Sequence, residues 1–200
     1  MARLDRVFFS RYTPDVARDL LGCVLVRRLN GRRLAGRIVE VEAYRGAEDP
    51  ASHAYRGVTE RTRIMFGEAG YAYVFFVYGN HYCLNFTTER KGEAGAVLIR
   101  AAEPLGGIDV MKERRGIYDS RALMSGPGKL TQAMGIDLSL NGEDLIKSRN
   151  LYVLRGRTEL DIMDSPRVGL SAGKETPWRF FVRGSRFVSG IRGASSANWV

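Results

Sequence analysis

Cysteine and histidine are both scarce in this chain of 200 residues, which contains two of each. Cys23 and Cys83 lie in apolar surroundings and are predicted to be reduced core residues, because a disulfide framework in a chain of this size needs more cysteines. His53 and His81 add too few ligands for a cluster with zinc spacing. We therefore expect neither a metal nor a cofactor.

Long apolar runs are also missing. No stretch approaches the roughly 18 apolar residues of a membrane-spanning helix, and the charged N-terminus is not followed by the apolar segment of a secretory signal. No repeat, low-complexity tract or linker divides the sequence. We expect one domain over residues 1–200, located in the cytoplasm, with no membrane partner.

Charge, in contrast, is biased to one sign. Lys and Arg number 31 against 22 Asp and Glu, which gives a formal net charge of +9. A basic surface attracts polyanions, because neutralising phosphates releases condensed counterions. Nucleic acid is one partner that fits, but general solubility, a ribosomal role or a membrane-surface role would explain the same excess.

Local signals indicate short strands, Gly-rich turns and segregated helices. Thr13 as N-cap, followed by Pro14, predicts a helix that ends before Gly22. Asn30-Gly31 predicts a tight hairpin turn between strands over 23–26 and 34–44. The remaining predicted elements are strands over 71–78, 82–87, 96–101, 151–155, 179–182 and 187–189, helices over 108–115 and 129–134, and a turn at 143–146. Because helices do not alternate with strands, the pattern favours an α+β fold over a doubly wound parallel sheet.

The strand over residues 38–44 has an acidic face. Side chains alternate across a strand, so the apolar residues share one face while Glu40, Glu42 and Tyr44 share the other. A carboxylate beside an aromatic ring provides a base next to a stacking surface. An ordinary solvent-facing strand face produces the same pattern, so the pattern alone leaves both interpretations open.

A series of further motifs accompanies this strand. They are Gly36–Tyr44, Glu48–His53, Met65–Phe66, Tyr71–Gly79, Cys83–Asn85, Val97–Ala101, Ser125–Leu130, Arg167–Gly169 and Arg179–Ser185. Each motif alone is weak, but the ordered set resembles the alkylpurine (3-methyladenine) DNA glycosylase family over about residues 36 to 189. The resemblance implies a single α+β domain with a curved, mostly antiparallel, barrel-like sheet, surrounding helices and a protruding hairpin that inserts into DNA. It also implies that the protein flips alkylated or deaminated purines from duplex DNA and hydrolyses the N-glycosidic bond, leaving an abasic site.

The resemblance makes Glu42 the general base that activates water, and the chemistry of the residue agrees. Breaking an N-glycosidic bond leaves an oxocarbenium-like sugar, which needs a nearby negative charge and a positioned nucleophile. A partly buried glutamate supplies both, so the burial of Glu42 is decisive. Arg100 matches the family arginine near the target phosphate and the attacking water, and a charge at the end of the apolar strand 96–99 needs a fixed anion. Glu40 is expected to be structural and paired with an arginine.

The same resemblance implies an aromatic cage. Alkylated purines often carry a positive charge, which electron-rich rings attract through stacking and cation–π contacts. Tyr44 and His53 match the stacking pair, Tyr73 helps to line the site, and Phe75 replaces a family tyrosine, keeping the ring without its hydroxyl. An ordinary strand core would also explain an aromatic run.

Asn85 matches the side chain that rejects the exocyclic amino group of normal guanine by a clash. Its position depends on the hairpin loop. With a two-residue Gly79-Asn80 turn, Asn85 lies opposite Val74 and faces away from Phe75. With a three-residue loop, Gly79 to His81, Asn85 lies opposite Phe75 and both line one pocket. The pocket hypothesis therefore predicts the longer loop, with His81 exposed in it.

DNA contacts are expected around this hairpin. Tyr78 matches the tyrosine that wedges into the minor groove and fills the gap left by the flipped nucleotide. The basic side chains expected at the DNA backbone, although each also fits ordinary solvated surface, are Arg61, Arg63, Lys129, Arg183 and Arg186. Ser125–Lys129 could present backbone N–H groups to a phosphate but lacks P-loop spacing. No lysine matches a catalytic position, so the expected reaction is direct water attack without a Schiff base.

The expected partner is double-stranded DNA containing damaged purines, bound by a monomer at the nucleoid. Two alternatives stay open. A non-catalytic nucleic-acid-binding module explains the charge and the aromatic residues but gives Glu42 no role. A glycosidase using Glu40 and Glu42 conflicts with the basic charge and with two carboxylates that point the same way from one strand.

Overall fold

A computed structural model describes residues 1–77, 79–157 and 159–190. Over these residues eight strands form one sheet in which all pairings are antiparallel. The strands are β1 (Val24–Leu29), β2 (Arg32–Arg45), β3 (Ala72–Val77), β4 (His81–Thr87), β5 (Gly95–Gly106), β6 (Leu151–Leu154), β7 (Ile162–Ser165) and β8 (Arg179–Val182). The α-helices are α1 (Arg6–Phe9), α2 (Thr13–Leu20), α3 (Ile108–Arg115) and α4 (Pro127–Met134), and 3-10 turns span Arg63–Phe66, Ser120–Ala122 and Leu138–Leu140. The predicted α+β class, with a curved and mostly antiparallel sheet, is confirmed.

Strand β2 organises the sheet, whose order is β3-β4-β5-β2-β1-β6. One edge of β2 pairs with β5 along most of its length. The other edge pairs with β1 up to Arg37 and then with β8 from Glu40 to Glu42. Because β2 changes partner midway, the sheet curls around its second half, where the acidic face lies.

Two ladder irregularities accompany this change of partner. Ile38 pairs with Ala102, Glu40 with Ala101 and Val41 with Ile99, so Val39 on β2 and Arg100 on β5 are left without a partner in the ladder. An extra residue of this kind bends a strand and increases its twist. The two bulges therefore produce the local curvature and change the direction of the side chains beside them.

The helices support the strands that carry the acidic face. Val16, Ala17 and Leu20 of α2 are fully buried, and α2 packs on β2 and β5. Helix α4 buries Leu130 and Ala133 against β4 and β5. Each large apolar side chain buried in this way contributes about 1.5–3 kcal/mol relative to exposure, so the middle of the sheet rests on a well-packed core.

The first hairpin forms as its turn residues predict. Asn30 and Gly31 both have positive φ angles, of 48° and 75°, as a two-residue hairpin turn of the I′ class requires. The strands on either side pair from Leu29–Arg32 back to Val24–Arg37. This prediction is confirmed.

The start of α2 differs from the prediction. Thr13 is the first helical residue and Tyr12 is the N-cap. The Thr13 hydroxyl and backbone N–H both donate to Oε1 of Glu89, at 2.6 and 2.8 Å. The expected local cap is therefore replaced by a carboxylate 76 positions away in the chain, which a local motif does not reveal.

Two strand predictions were wrong. Residues 187–189 form a turn and bend rather than a strand, and Ile162–Ser165 forms strand β7 although it was not predicted. The short sequence Ile-Met-Asp-Ser has no clear apolar alternation. It becomes extended because β8 offers it an edge to pair with, which is a tertiary effect.

Candidate active site

A cavity of about 220 Å³ lies among strands β2 to β5, the segment before β3 and the loop after β7. At ~30 Å³ per water in the liquid, this volume corresponds to about seven waters, which is room for a flat ring system. The side chains that line it come from segments far apart in the sequence: Glu42, Tyr44, Ala51, His53, Met65, Tyr73, Phe75, Val77, Cys83, Asn85, Ala96, Leu98, Arg100, Pro127, Val168, Gly169 and Leu170. The structure thus brings together all seven residues predicted for catalysis and base binding.

Glu42 lines this cavity with a side chain that is 0% exposed to solvent. Its Oε1 accepts a hydrogen bond from the backbone N–H of Val168 at 2.7 Å and lies 3.2 Å from a guanidinium nitrogen of Arg100. Its Oε2 accepts from the hydroxyl of Tyr44 at 2.7 Å. A carboxylate has about four acceptor positions, so one remains for a water in the cavity. The solvent-facing interpretation of this strand face is therefore wrong, because β2 is buried on both faces here.

Tyr44 is held between the carboxylate of Glu42 and a buried ion pair. Burial, together with the charge of Glu42, raises the pKa of the Tyr44 phenol, so that it remains a donor. The guanidinium of Arg167 packs over the Tyr44 ring at 4.7 Å. Arg167 in turn donates to both oxygens of Asp49, at 2.6 and 2.7 Å, and to the carbonyl of Ala43 at 2.8 Å. One wall of the cavity is fixed by these contacts.

Arg100 reaches the cavity from the bulge in β5. Its Nε donates to Oε1 of Glu40 at 2.8 Å, and another of its nitrogens lies 3.2 Å from Glu42. The sequence placed this arginine at the end of a strand, which was wrong, since β5 continues to Gly106. The fixed anion that its charge was expected to need is present. Bulges often redirect a side chain next to an active site. The anions that hold Arg100 are two carboxylates of the protein itself.

Three aromatic rings form the opposite wall. The His53 ring lies 4.7 Å from that of Phe75 in an edge-to-face arrangement, and the Tyr73 ring lies 5.1 Å from Phe75. Nδ1 of His53 is 2.9 Å from the Tyr73 hydroxyl. Arg61 stacks over Phe75 at 4.8 Å and donates to the Tyr73 hydroxyl at 3.2 Å. Arg61, which was expected at the DNA backbone, therefore supports this aromatic wall.

The protonation of His53 gives a first testable prediction. Burial, and secondarily the charge of Arg61, lower the pKa of His53 to about 4. Arg61 has no acceptor, so Nε2 of His53, 3.4 Å from it, is the acceptor and Nδ1 carries the proton. We expect nitrogen-15 ring shifts to show a neutral Nδ1–H tautomer at around pH 6, where a histidine with the ordinary pKa of 6.5 is substantially protonated.

The same titration includes a control. Arg61→Gln removes the nearby charge and is expected to raise the midpoint of His53 toward its ordinary value of 6.5. The pKa of His53 is lower in the folded protein than in the unfolded chain, so the unfolded chain binds the proton more tightly. His53 should therefore reduce the stability of the folded protein only as the pH falls below about 6.5. A wild-type ring that titrates near 6.5 would contradict this description of the wall.

Asn85 enters the cavity through a hairpin whose register differs from the prediction. Val77 pairs with His81, so three positions separate the last paired residues, as predicted, but the pairing begins one position earlier on each strand than a loop over 79–81 requires. Asn85 therefore lies opposite Tyr73, not opposite Phe75. The parity is unchanged, so Asn85 and Phe75 still share one face and one cavity. The Asn85 amide nitrogen donates to the carbonyl of Tyr73 at 3.1 Å, which sets the orientation of the amide.

His81 also departs from its prediction. It is the first residue of β4 and is partly buried rather than exposed in the loop. Gly128, in the first turn of α4, lies against the His81 ring, since a Cβ at this position would approach the ring to 2.9 Å. Tyr78, the predicted wedge, lies outside the described residues. The lack of a side chain at Gly128 allows the hairpin to approach the start of α4.

The other basic residues differ in how close they lie to the cavity. Arg63 is exposed on the 3-10 turn that carries Met65, and Lys129 is exposed two positions after Pro127; Met65 and Pro127 both line the cavity. Arg183 pairs with Asp161 at 2.8 Å. It shares with Arg186 a second cleft whose lining residues do not overlap those of the cavity. Arg63 and Lys129 therefore lie beside the cavity and Arg183 lies apart from it, and contact with DNA stays a prediction for all three.

Several residues of the site were not assigned a role from the sequence. They are Arg167, Val168, Leu170, Arg179 and Ser189. Arg167–Gly169 and Arg179 belonged to the matching motifs, which was the available signal. The backbone N–H of Val168 donates to Glu42, and a backbone donor cannot be recognised from the type of side chain in the sequence. Ser189 lies beyond the last motif and contacts Glu40 across 149 positions.

The described residues contain no group of three or more His, Cys, Asp and Glu side chains placed to hold a metal ion. None of their helices is long and apolar enough to cross a membrane. Both cysteines are buried thiols, as expected. Burial raises the pKa of Cys83, which lines the cavity, to about 11, so this thiol stays protonated and acts as a part of the wall.

Comparison with known proteins shows the family to which the chain belongs. The sequence profile of the methylpurine-DNA glycosylase family matches residues 7–186. A relative from Carboxydothermus hydrogenoformans, named as a candidate 3-methyladenine DNA glycosylase, is 52% identical over 188 residues, which cover 93% of this chain and 98% of the relative. Relatives with the same name from Methanoculleus marisnigri and Chlorobaculum parvum are 49% and 50% identical, covering 93% and 96% of this chain and 98% and 93% of their own lengths. The chain belongs to the methylpurine-DNA glycosylase family and is a DNA glycosylase, a hydrolase of N-glycosyl bonds.

Proposed function

We propose that this enzyme takes an alkylated or deaminated purine, flipped out of duplex DNA, into the cavity and hydrolyses its N-glycosidic bond with a water activated by Glu42. The observation that carries the proposal is a fully buried carboxylate in a cavity walled by aromatic rings. A nucleobase stacked inside a duplex cannot reach a carboxylate at the bottom of such a cavity, so the enzyme must extrude its target. The proposal covers base-excision repair of 3-methyladenine-type lesions.

The walls of the cavity suit a damaged purine. Tyr44 and His53 line it on different segments and can stack on the two faces of one base. Neutral His53 does not repel a cationic alkylated base, and the electron-rich rings attract it. In this proposal Asn85, whose amide is oriented by its hydrogen bond to Tyr73, rejects normal guanine by a clash with the exocyclic amino group.

In the proposed reaction, water attacks C1′ of the sugar as the bond from C1′ to the purine nitrogen breaks. Glu42 takes the proton of the water, and its negative charge stabilises the oxocarbenium character of the sugar. Arg100, held 3.2 Å from Glu42, keeps the carboxylate in place and provides positive charge toward the target phosphate. The purine leaves with the bonding electrons, and the product is an abasic site.

Strand cleavage through a lysine is not part of the proposal. Within the described part of the chain, none of the residues lining the cavity is a lysine, and a Schiff base requires an amine at the sugar. We propose a monofunctional enzyme that acts as a cytoplasmic monomer at the nucleoid, with Tyr78 as the wedge that fills the gap in the duplex.

Two alternatives fit the geometry less well. A non-catalytic binding module gives no reason to bury Glu42 without a full set of partners, although such burial costs free energy. A glycosidase with two working carboxylates needs Glu40, but Glu40 is fully engaged by Arg100, Arg179 and Ser189. The geometry therefore favours the DNA glycosylase with one working carboxylate.

The test is a base-release assay. Purified protein is incubated with duplexes that each carry hypoxanthine, 3-methyladenine, 7-methylguanine or ethenoadenine, and free base and abasic sites are measured. We expect release of at least one of these bases with an intact strand and no adduct trapped by borohydride. Binding to the duplex without release of any base would favour the binding module, and hydrolysis of simple glycosides would favour the glycosidase.

A further inference from the structure

Glu40 is a second buried carboxylate that takes no part in the proposed reaction. Its side chain is 0% exposed and does not line the cavity. Its Oε1 accepts from Nε of Arg100, Nε of Arg179 and the hydroxyl of Ser189, each at 2.8 Å, and its Oε2 accepts from the backbone N–H of Ser189 at 2.6 Å. Burial acts against its charge, but the two arginines and the Ser189 N–H outweigh burial and lower the pKa of Glu40. Glu40 is therefore a permanent anion.

Arg100 is shared between this anion and the proposed base. Its Nε bonds Glu40 at 2.8 Å, a second nitrogen bonds the Ser189 hydroxyl at 3.3 Å, and a third lies 3.2 Å from Glu42. Three contacts in different directions fix the plane of the guanidinium. The contact of Arg100 to Glu40 is shorter than its contact to Glu42. Glu40 is therefore the main partner that holds Arg100 in place, and the same guanidinium also acts electrostatically on Glu42.

The charges of this cluster balance. The two negative charges are the carboxylates of Glu40 and Glu42, and the two positive charges are the guanidinium groups of Arg100 and Arg179. Without Glu40, the positive potential of two buried arginines would act on Glu42 with nothing to compensate it, and in a buried site such charges interact strongly. A carboxylate stabilised in this way is a poor proton acceptor, whereas catalysis needs a base that still takes a proton at the working pH.

We propose that Glu40 is a positioning residue for the reaction, which neutralises the buried arginines and fixes the plane of Arg100 so that Glu42 remains a working base. This inference rests on the proposed role of Glu42. It assigns Glu40 a function beyond the structural pairing expected from the sequence. The proposed role is consistent with the two bulges. Arg100 is the unpaired residue of the bulge in β5, and Val39, next to Glu40, is the unpaired residue of the bulge in β2.

The pH profile of base release reports on this proposal. The groups that face Glu42 from its own strand and from the neighbouring segments are Tyr44, Cys83, Arg100, Arg167 and Arg179, with His53 across the cavity. The raised pKa of Tyr44, the pKa of about 11 of Cys83 and the pKa of about 4 of His53 place their titrations away from neutrality. The acid limb of the profile, where base release falls as the pH is lowered, is therefore the readout of the proposed catalytic carboxylate.

The experiment compares single-turnover base release against pH for wild type, Glu40→Gln, Glu40→Asp and Glu103→Gln. In Glu40→Gln, the arginines favour the ionised form of Glu42, so we expect the acid limb to move to lower pH and the plateau rate to fall about threefold to tenfold. Glu40→Asp keeps the charge and should restore the midpoint of the limb. Glu103→Gln is the matched control, because Glu103 also pairs with a strand arginine, Arg37, but lies outside the cavity lining.

A folded Glu40→Gln variant whose acid limb coincides with that of wild type would overturn the proposal, whatever its rate. If circular dichroism shows that this variant does not fold, Arg179→Gln provides an alternative test, in which the acid limb is expected to move in the opposite direction. It removes positive charge from the cluster and should move the limb to higher pH, and an unmoved limb would overturn the proposal. Failure of the proposed function is distinguishable, since it would appear as a wild-type rate in Glu42→Gln.

Discussion

Replacing Glu42 with glutamine is expected to slow base release by about 10³-fold or more while leaving the affinity for damaged duplex nearly unchanged. Activation of water and stabilisation of a developing positive charge each contribute roughly 10²–10⁴-fold in enzymes, and Glu42 is proposed to do both. Glutamine has the same shape but neither accepts a proton nor carries a charge. The measurement is single-turnover base release, together with binding to a duplex carrying the same lesion.

The structure indicates that this variant will fold. The glutamine oxygen can accept from Val168 N–H and Arg100, and its NH₂ group can donate to the hydroxyl oxygen of Tyr44. Arg100 also retains Glu40 as a partner. Glu48→Gln is a suitable control, since Glu48 is an exposed carboxylate that pairs with Arg45 away from the cavity, and it should release base at the wild-type rate. Wild-type activity in Glu42→Gln would remove Glu42 from the mechanism.

Removing the carboxylate of Asp49 is expected to produce the largest loss of stability among these variants. Asp49→Ala leaves the guanidinium of Arg167 buried without its partner, and breaking a buried pair in this way costs about 3–5 kcal/mol. Both side chains are essentially inaccessible, at 0% for Arg167 and 1% for Asp49. Asp49 also accepts from the backbone N–H groups of Arg45 and Ala51, so its loss leaves further donors unsatisfied. Urea unfolding followed by circular dichroism measures the difference.

A surface pair provides the comparison. Arg32 and Asp109 form an ion pair whose side chains are 60% and 69% exposed, and such pairs contribute about 0–1 kcal/mol. Asp109→Ala should therefore change the free energy of unfolding by less than about 1 kcal/mol. If Asp49→Ala and Asp109→Ala lose equal stability, the Asp49–Arg167 pair does not hold the loop as described.

Loss of Asp49 should also reduce activity in the molecules that remain folded. Arg167 precedes Val168, whose N–H donates to Glu42, and its guanidinium packs on Tyr44. The ion pair thus fixes both a donor to the base and a ring of the cavity. Stability and the position of the catalytic carboxylate are linked through one loop.

The acidic strand over residues 38–44 shows what strand alternation can predict about a site and what it cannot. Alternation along residues 38–44 was sufficient to place Glu42 and Tyr44 on one face, and the structure joins them by a hydrogen bond of 2.7 Å. Alternation did not decide whether that face meets solvent or the interior. That depends on β8 and on the loop around Val168, which cover it from more than 120 positions away.

In the hairpin of β3 and β4, too, the sequence predicted one part of the geometry and tertiary packing decided the other. The parity of its register followed from the requirement that Asn85 and Phe75 share a face. The actual pairing, Val77 with His81, shifted the loop by one residue toward the N-terminus. Packing of His81 against Gly128 of α4 accompanies this register, and the hairpin residues alone do not contain that contact.

By itself, the sequence determined the α+β class, the turn at Asn30-Gly31 and the set of side chains that could form a purine site, because these follow from backbone preferences, strand alternation and ordered motifs. Only the tertiary structure decided that Glu42 borders the cavity while Glu40 is engaged by two arginines and Ser189. The physical reason is that burial and electrostatic balance depend on segments that meet only when the sheet curls, and side chains two residues apart on one strand carry no local signal of that difference.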